Sequence, residues 1–306
     1  MEHLKQLTLN QQQAVLAVIQ SATEHDQVPP ISDHILLHLR HGGDKSDSHL
    51  VISVNEKIIG YAHLDQTDAV AGPAVELVVD PNHRKSGVGN QLLKEAIKIC
   101  GNRLRLWSHG DLPAASSLAI ANNFIKIRTV VQMSKSLSQI TPVGDLDNAI
   151  TIRTFLPGLD SDNWLTLNNK AFINHPEQGN WRLDDLNLRL KEEWFDEQGF
   201  FIAEKDNQII GATWTKIHGA TSHQHGQEES HDHSAIGEIY ITAVDPKYAH
   251  QGIGRALTLT ALNYLKYQGL ADVILYVDEE NTAALNLYKS IGFKQSGKDV
   301  LFKLKS

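Results

Sequence analysis

The chain has 306 residues, of which 41% are hydrophobic and 21% charged, with a net charge of −8. This is the make-up of a globular protein with room for two domains, and the lack of a Lys/Arg-rich block argues against nucleic acid as a main partner. A single cysteine, Cys100, excludes an internal disulfide and fits a reducing cytoplasm. No apolar run approaches the roughly 20 residues needed to span a bilayer, and "MEHLKQLTLN" lacks a signal-peptide pattern. A cytoplasmic protein with no membrane partner is therefore expected.

In chain order, "LNQQQAVLAVIQSATEHD" (9–26) has the spacing of an amphipathic helix. "HLVISVNEKIIGYAHL" (49–64) reads as a hairpin turning at Asn55-Glu56-Lys57. A strand then ends at Asp80-Pro81, a glycine turn follows at Gly87 and Gly89, and a helix, a strand, a second helix and a last strand complete the half. The polar stretch 136–149, with Pro142 and Gly144, reads as a linker. The order then repeats. "SDNWLTLNNKAF" (161–172) is a helix with Ser161 or Asp162 as its expected N-cap. "GFFIAEKDNQIIGATWTKI" (199–217) is a hairpin turning at Lys205-Asp206-Asn207, and Asp245-Pro246 precedes Gly252 and Gly254.

An offset of 165 superposes Asp80-Pro81, Gly87 and Gly89 on Asp245-Pro246, Gly252 and Gly254, and Phe124 falls on Phe293 at offset 169. A repeat this long means two copies of one domain, not a solenoid. The pattern predicts a mixed α/β (α+β) fold with helices on both faces of a sheet, in domains at 1–140 and 150–306. Only "IHGATSHQHGQEESHDHSAIG" (217–237) has no counterpart. Its five histidines, His218, His223, His225, His231 and His233, lack metal-motif spacing. No metal is assigned; a mobile loop between two strands, placed to act as a lid, is expected.

A glycine turn between a strand and a helix exposes unpaired backbone N–H groups at the positive end of the helix dipole, a cradle for a phosphate or pyrophosphate. No Gly-Lys-Ser/Thr is present, which excludes a nucleotide P-loop. The third glycine of a dinucleotide fingerprint is missing as well. The arrangement resembles the acetyl-CoA motif of the GCN5-related N-acetyltransferase (GNAT) superfamily, Arg/Gln-x-x-Gly-x-Gly/Ala after a Val-Asp-Pro strand end. Arg84, Gly87 and Gly89 fit it fully. In the second copy Ala249 replaces the arginine, a departure that implies the loss of one side-chain phosphate contact.

Acyl transfer to an amine needs a base, a site for the oxyanion and stabilisation of the leaving thiolate. Glu238 lies six residues before Val244 on the strand that enters the second cradle. Strand alternation puts Glu238, Tyr240, Thr242 and Val244 on one face, which makes Glu238 the candidate base. Tyr288 lies about two helical turns beyond Asn281, an expected N-cap, and is the candidate acid or hydrogen-bond donor to the thiolate. In the first copy these positions align with Pro73, Ala119 and Leu112. Glu76 is displaced by three residues, which alternation assigns to the opposite strand face. The second copy is expected to be catalytic; the first is expected to keep a cradle for acetyl-CoA without turnover.

"LWSHGDLPAA" (106–115), "AFINHPEQGNW" (171–181), "WTKIH" (214–218) and "ILYVDEENTAALNLYKSIGF" (274–293) resemble the mycothiol synthase family of actinobacteria, tandem acetyltransferases, over nearly the whole chain. The resemblance implies acetyl transfer from acetyl-CoA to the cysteinyl amine of Cys-GlcN-Ins, a small pseudo-disaccharide; a monomer is expected. It implies acceptor contacts at Asp33, Glu177, Lys216, Glu238 and Tyr276, with Asp33 standing where a glutamate is expected. For acetyl-CoA it implies Thr242, Ala243, Val244, Ala249, His250, Gln251, Gly252, Ile253, Gly254, Arg255, Asn281, Thr282, Ala283, Ala284, Leu285 and Asn286. In the first copy the equivalents are Leu77, Val78, Val79, Arg84, Lys85, Ser86, Gly87, Val88 and Gly89. The alternatives are the same fold acting on another primary amine, or a non-catalytic acyl-CoA sensor.

Overall fold

The computed structural model describes residues 1–305 except 33–34, 37–38, 40–46, 67–71, 139–141, 145, 174, 176–177, 193, 219–221, 225–229 and 233–234. The chain divides into two compact units. Unit 1 comprises residues 1–131, 278–280 and 297–306; unit 2 comprises 132–277 and 281–296. Residues 297–304 of the strand that closes the second repeat are thus counted with the first unit.

In unit 1, β1 (Glu2–Leu4), β2 (Ser48–Val54), β3 (Lys57–Asp65), β4 (Ala74–Val79) and β5 (Arg105–Ser108) lie side by side in that order, and 297–304 of the last strand follow beside β5. Helix α1 (Leu9–Asp26) covers one face, burying Val15, Val18 and Ile19 against Val51, Tyr61 and Val78. Helix α2 (Val88–Cys100) covers the other with Leu92, Leu93 and Ala96 against Leu50, Ile52, Ala62 and Val75. Helix α3 (Pro113–Ala121) follows β5, and β6 (Phe124–Ser136) runs out of unit 1 at Val131. Thr8 closes a capping box with Gln11 at the start of α1.

Unit 2 repeats the plan. It holds β7 (Thr151–Thr154), α4 (Ser161–Ala171), α5 (Leu183–Arg189), β8 (Phe200–Lys205) and β9 (Gln208–His218). Two short strands, β10 (Ser222–Gln224) and β11 (Ser230–Asp232), precede β12 (Ile236–Val244), α6 (Ile253–Tyr267), β13 (Asp272–Asp278) and α7 (Thr282–Ile291), and the last strand is β14 (Lys294–Leu304). The sheet order is β13-β12-β9-β8-β7. Aromatic residues under α4, among them Trp164, Phe155, Phe200 and Trp214, fill one side. Ile253 and Leu257 of α6 pack on the other. Among the described residues, no helix is long and apolar enough to cross a membrane.

Both hairpins use a two-residue turn in which each residue has positive φ: Asn55 (49°) and Glu56 (66°), then Asp206 (51°) and Asn207 (59°). This is the turn whose twist matches the flanking strands, and Asn and Asp tolerate its left-handed geometry. Gly60 and Gly211 hold matching places on the second hairpin strand. A Cβ there would lie 2.6 Å from Val88 or 2.9 Å from Ile253 and Leu257, so these glycines let the cradle helix seat on the sheet. Helix α4 differs from the sequence expectation. Asp160, rather than Ser161 or Asp162, is its N-cap residue, and the Asp160 carboxylate is engaged by the Arg153 guanidinium at 2.7 and 2.9 Å. In the histidine-rich stretch, 222–224 and 230–232 pair as an antiparallel ribbon, so that stretch is not wholly loop.

Candidate active site

The glycine turns have the same backbone in both copies. Asp80 and Asp245 each accept an N–H two residues on, from Asn82 and Lys247, at 2.9 Å. Lys85 and His250 have φ of 60° and 62°, and Gly87 and Gly252 have 89° and 80°. Gly87 and Gly252 are the N-cap residues of α2 and α6, and neither carries a side-chain cap. The N–H groups of the first helical turn therefore have no intrahelical acceptor and converge on the space beyond the cap. A Cβ at Gly252 would meet no atom within 4 Å, so backbone conformation rather than packing demands glycine there. Gly254 instead lies against Leu287 and Val244 at ordinary contact distance.

Arg84 points elsewhere than the motif implies. Its guanidinium donates to both carboxylate oxygens of Asp26, at 2.8 and 2.6 Å, and its Nε donates to the Val79 carbonyl. This contact is the chief reason the Asp26 carboxyl is held below its ordinary value. Ala249, at the matching place in unit 2, has no side chain able to make such an ion pair.

Strand β12 departs from simple alternation. Its register on β9 slips between Ile239, opposite Thr215, and Ile241, opposite Trp214, so Tyr240 is the extra residue of a β-bulge. The consequence is a change of face. Glu238 lies opposite Lys216, and the Lys216 ammonium sits over the rings of Trp194 (5.0 Å) and Tyr240 (5.8 Å). Ile241 and Ala243 join the same α4-side core. Val244 packs with Ile253 and Leu257 on the α6 side, and Thr242 bonds Thr213 there at 3.1 Å. Glu238 and Tyr240 therefore share one face and Thr242 and Val244 the other, not all four together as expected. Beyond the bulge β12 also leaves β13. The two pair only over Gly237–Ile239 and Val273–Leu275, although they continue to Val244 and Asp278. Backbone groups of both strands border the opening.

Glu238 is 5% exposed and Lys216 6%. His218, at the end of β9, bonds the Glu238 Oε2 through Nε2 at 2.7 Å. Tyr276, 43% exposed on β13, accepts a bond from Gln132 Nε2 at 3.1 Å. Tyr288 on α7 is buried. Burial raises its pKa, against which a hydrogen bond from Thr242 works. Asn281 caps α7 by accepting from Ala284 N–H at 3.1 Å, as expected. The cradle, Thr242, Tyr288 and Asn281 thus cluster around the α6–α7 side of β12, while Glu238, Lys216 and His218 occupy the α4 side. Asp33 and Glu177 lie outside the described residues.

Unit 1 has an unbroken β3–β4 register, with no bulge. Without the extra residue, Glu76 falls on the α1 face together with Val78, the face that matches Glu238's. The sequence expectation of the opposite face is overturned because it carried β12's count onto a strand one residue shorter. Glu76 is already engaged. Its Oε2 accepts from Ser32 N–H at 2.6 Å and meets His109 Nε2 at 3.1 Å, while His109 Nδ1 lies 3.1 Å from Asp299 of β14. Burial disfavours the imidazolium, but the two carboxylates outweigh it and push His109 up to about 10. Burial likewise opposes the Glu76 carboxylate, yet the charge and hydrogen bond of His109 and the Ser32 N–H hold it below its ordinary value. Ala119, where α7 has Tyr288, is buried and carries no hydroxyl. His109 and His218 were both missed in the sequence. Period-two spacing from Lys216 would have placed His218 on the Glu238 face; no local signal links His109 to Glu76.

The family model of the acetyltransferase (GNAT) family matches residues 163–293, and that of the acetyltransferase (GNAT) domain matches 45–124. The mycothiol acetyltransferase of Acidothermus cellulolyticus is 46% identical over 94% of this chain and 90% of its own. That of Streptosporangium roseum is 41% identical over 99% and 98%. The chain belongs to the mycothiol acetyltransferase family. Two solved structures share the fold. A tandem GNAT protein from the clavulanic acid pathway has a TM-score of 0.74 at 16% identity, covering 100% of this chain and 99% of its own. A GCN5-related N-acetyltransferase from Sphaerobacter thermophilus has a TM-score of 0.69 at 20% identity, covering 100% and 96%. This member of the family is an acetyl-CoA-dependent N-acetyltransferase with two GNAT domains.

Proposed function

We propose that unit 2 transfers acetyl from acetyl-CoA to the cysteinyl amine of Cys-GlcN-Ins, the acceptor of mycothiol synthesis, and that unit 1 performs no transfer. The observation that carries the reading is the Tyr240 bulge, with the parting of β12 from β13 that follows it. It opens the sheet between a pyrophosphate cradle at one end of β12 and a buried carboxylate at the other. Six residues separate Glu238 from Val244, about 20 Å of strand, a span suited to an extended pantetheine arm. The first-turn N–H groups of Ile253, Gly254 and Arg255 would hold the pyrophosphate, and strand groups freed by the parting would hold the arm.

An ammonium of pKa about 8 must lose a proton before it attacks. Glu238 takes it, and the nitrogen lone pair then attacks the thioester carbonyl carbon. As the C–N bond is kept and the C–S bond breaks, the nitrogen gives up a second proton and the coenzyme sulfur gains one, so one proton is released per turnover. Tyr288, its pKa raised by burial, serves as a hydrogen-bond donor to the leaving thiolate rather than as a full proton donor. Lys216 and Tyr276 present a cation and a phenol suited to a hydroxyl-rich acceptor. In unit 1, the ion pair with His109 and the missing phenol at Ala119 support a role limited to holding acetyl-CoA.

The test is release of free coenzyme A with Cys-GlcN-Ins and with a panel of polyamines, aminoglycosides and peptide N-termini. Preference for Cys-GlcN-Ins is expected, together with a 10²- to 10⁴-fold drop in turnover for Glu238→Gln and little change for Glu76→Gln in a folded protein. Equal losses at Glu238 and Glu76 would reject the division of labour. Turnover of the whole panel at similar rates would reject the acceptor.

A further inference from the structure

The partner of Glu238 is not an anonymous surface group. His218 is the last residue of β9, two positions from Lys216 and so on the same face of the strand. It is the diagonal neighbour of Glu238 across the β9–β12 pair, where long side chains meet. The imidazole side chain is 34% exposed and the carboxylate 7%, so the ring lies at the margin of the site and the carboxylate beneath it. The bond, 2.7 Å between Nε2 and Oε2, is a close hydrogen bond.

Torsion about the terminal bond of a glutamate is broad and roughly two-fold. A buried base without a fixed partner would present either oxygen, at varied angles, to an incoming ammonium. We propose that His218 is a positioning residue for the acetyl transfer: its Nε2–H binds Oε2 of Glu238, so that Oε1 is the oxygen that receives the amine proton. The N–H bond of the ammonium breaks, the proton goes to Oε1, and the electron pair stays on nitrogen for attack. Two β-strands hold the pair, so its geometry is set by sheet register rather than by a loop. The inference rests on the reading of Glu238 as the base.

The experiment is a mutant cycle with steady-state kinetics on the full chain. His218→Ala should lower kcat roughly 10- to 100-fold, the usual cost of a reacting group held out of line, with KM for acetyl-CoA unchanged. His218→Gln, whose side-chain amide can place an N–H near the same point, should recover most of that loss. In a Glu238→Gln background, His218→Ala should cost nothing further, because the two residues act as one unit. The proposal is overturned if His218→Ala keeps wild-type kcat, if His218→Gln is as impaired as His218→Ala, or if the His218 loss persists undiminished beside Glu238→Gln. A fully active Glu238→Gln enzyme would instead bring down the assignment of the base, so the two failures are read separately.

Discussion

The bridge that ties β4, the segment after β5 and β14 together in unit 1 makes a quantitative prediction. His109→Gln removes a cation that stands 3.1 Å from Glu76 and 3.1 Å from Asp299. Glu76 is 5% exposed, and a buried carboxylate stripped of its partner costs about 3–5 kcal/mol. Proton linkage gives a similar size. The imidazole moves from 6.5 unfolded to about 10 folded, which is worth about 5 kcal/mol at ~1.4 kcal/mol per pH unit. Because the folded pKa is the higher, this stabilisation is complete below pH 6.5 and is lost as pH rises toward 10. Glu76 is shifted the other way, so its share is complete above its ordinary carboxylate value and is lost on acidification. Urea denaturation of wild type and His109→Gln, followed from pH 6 to pH 10, should show a gap of several kcal/mol at pH 6 to 7 that narrows steadily toward pH 10. Adding Glu76→Gln to His109→Gln should recover part of the loss, since the stranded charge is then gone. A gap independent of pH, or none at pH 7, would refute the reasoning.

Gly252→Ala forces a side chain onto φ of 80° and should cost about 1 kcal/mol of stability; calorimetry should also show weaker acetyl-CoA binding, whereas Gly254→Ala, with its Cβ at ordinary contact distance, should bind nearly as wild type. Tyr288→Phe should lower kcat about 10- to 100-fold while leaving KM for acetyl-CoA within twofold, and a large KM change would assign the phenol to binding instead. Burial pushes the Cys100 thiol from 9.0 up to about 11, so at pH 8 a thiol reagent should label the folded protein about a hundredfold more slowly than the unfolded chain; equal rates would contradict that burial.

Much of the fold was legible because the repeat is written in residues that the backbone geometry demands. Gly87 and Gly252, the aspartates before the prolines, and the Asn-Glu and Asp-Asn hairpin turns each answer a local requirement, and local requirements leave local marks. The face of Glu238 was not legible. A bulge needs no particular residue, and Tyr240 looks like any strand tyrosine; yet one added position moves Thr242 and Val244 to the other side of the sheet and reverses the comparison with Glu76. The histidine partners were hidden for a second reason. His109 reaches Asp299 across 190 positions of sequence, and only the pairing of β5 with β14 brings them together.

The assignment of 297–304 to unit 1 has a consequence for how the protein is made. Those residues hydrogen-bond to β5 through Val300–Lys303, opposite Ser108–Arg105. A ribosome delivers the first repeat long before it delivers that strand. The early half must therefore wait, with the β5 border uncovered and Glu76 and His109 lacking Asp299, until residues 297–304 have emerged. Pulse-chase proteolysis of stalled nascent chains would register this as protection of the first 131 residues arriving only after residue 304 has left the exit tunnel.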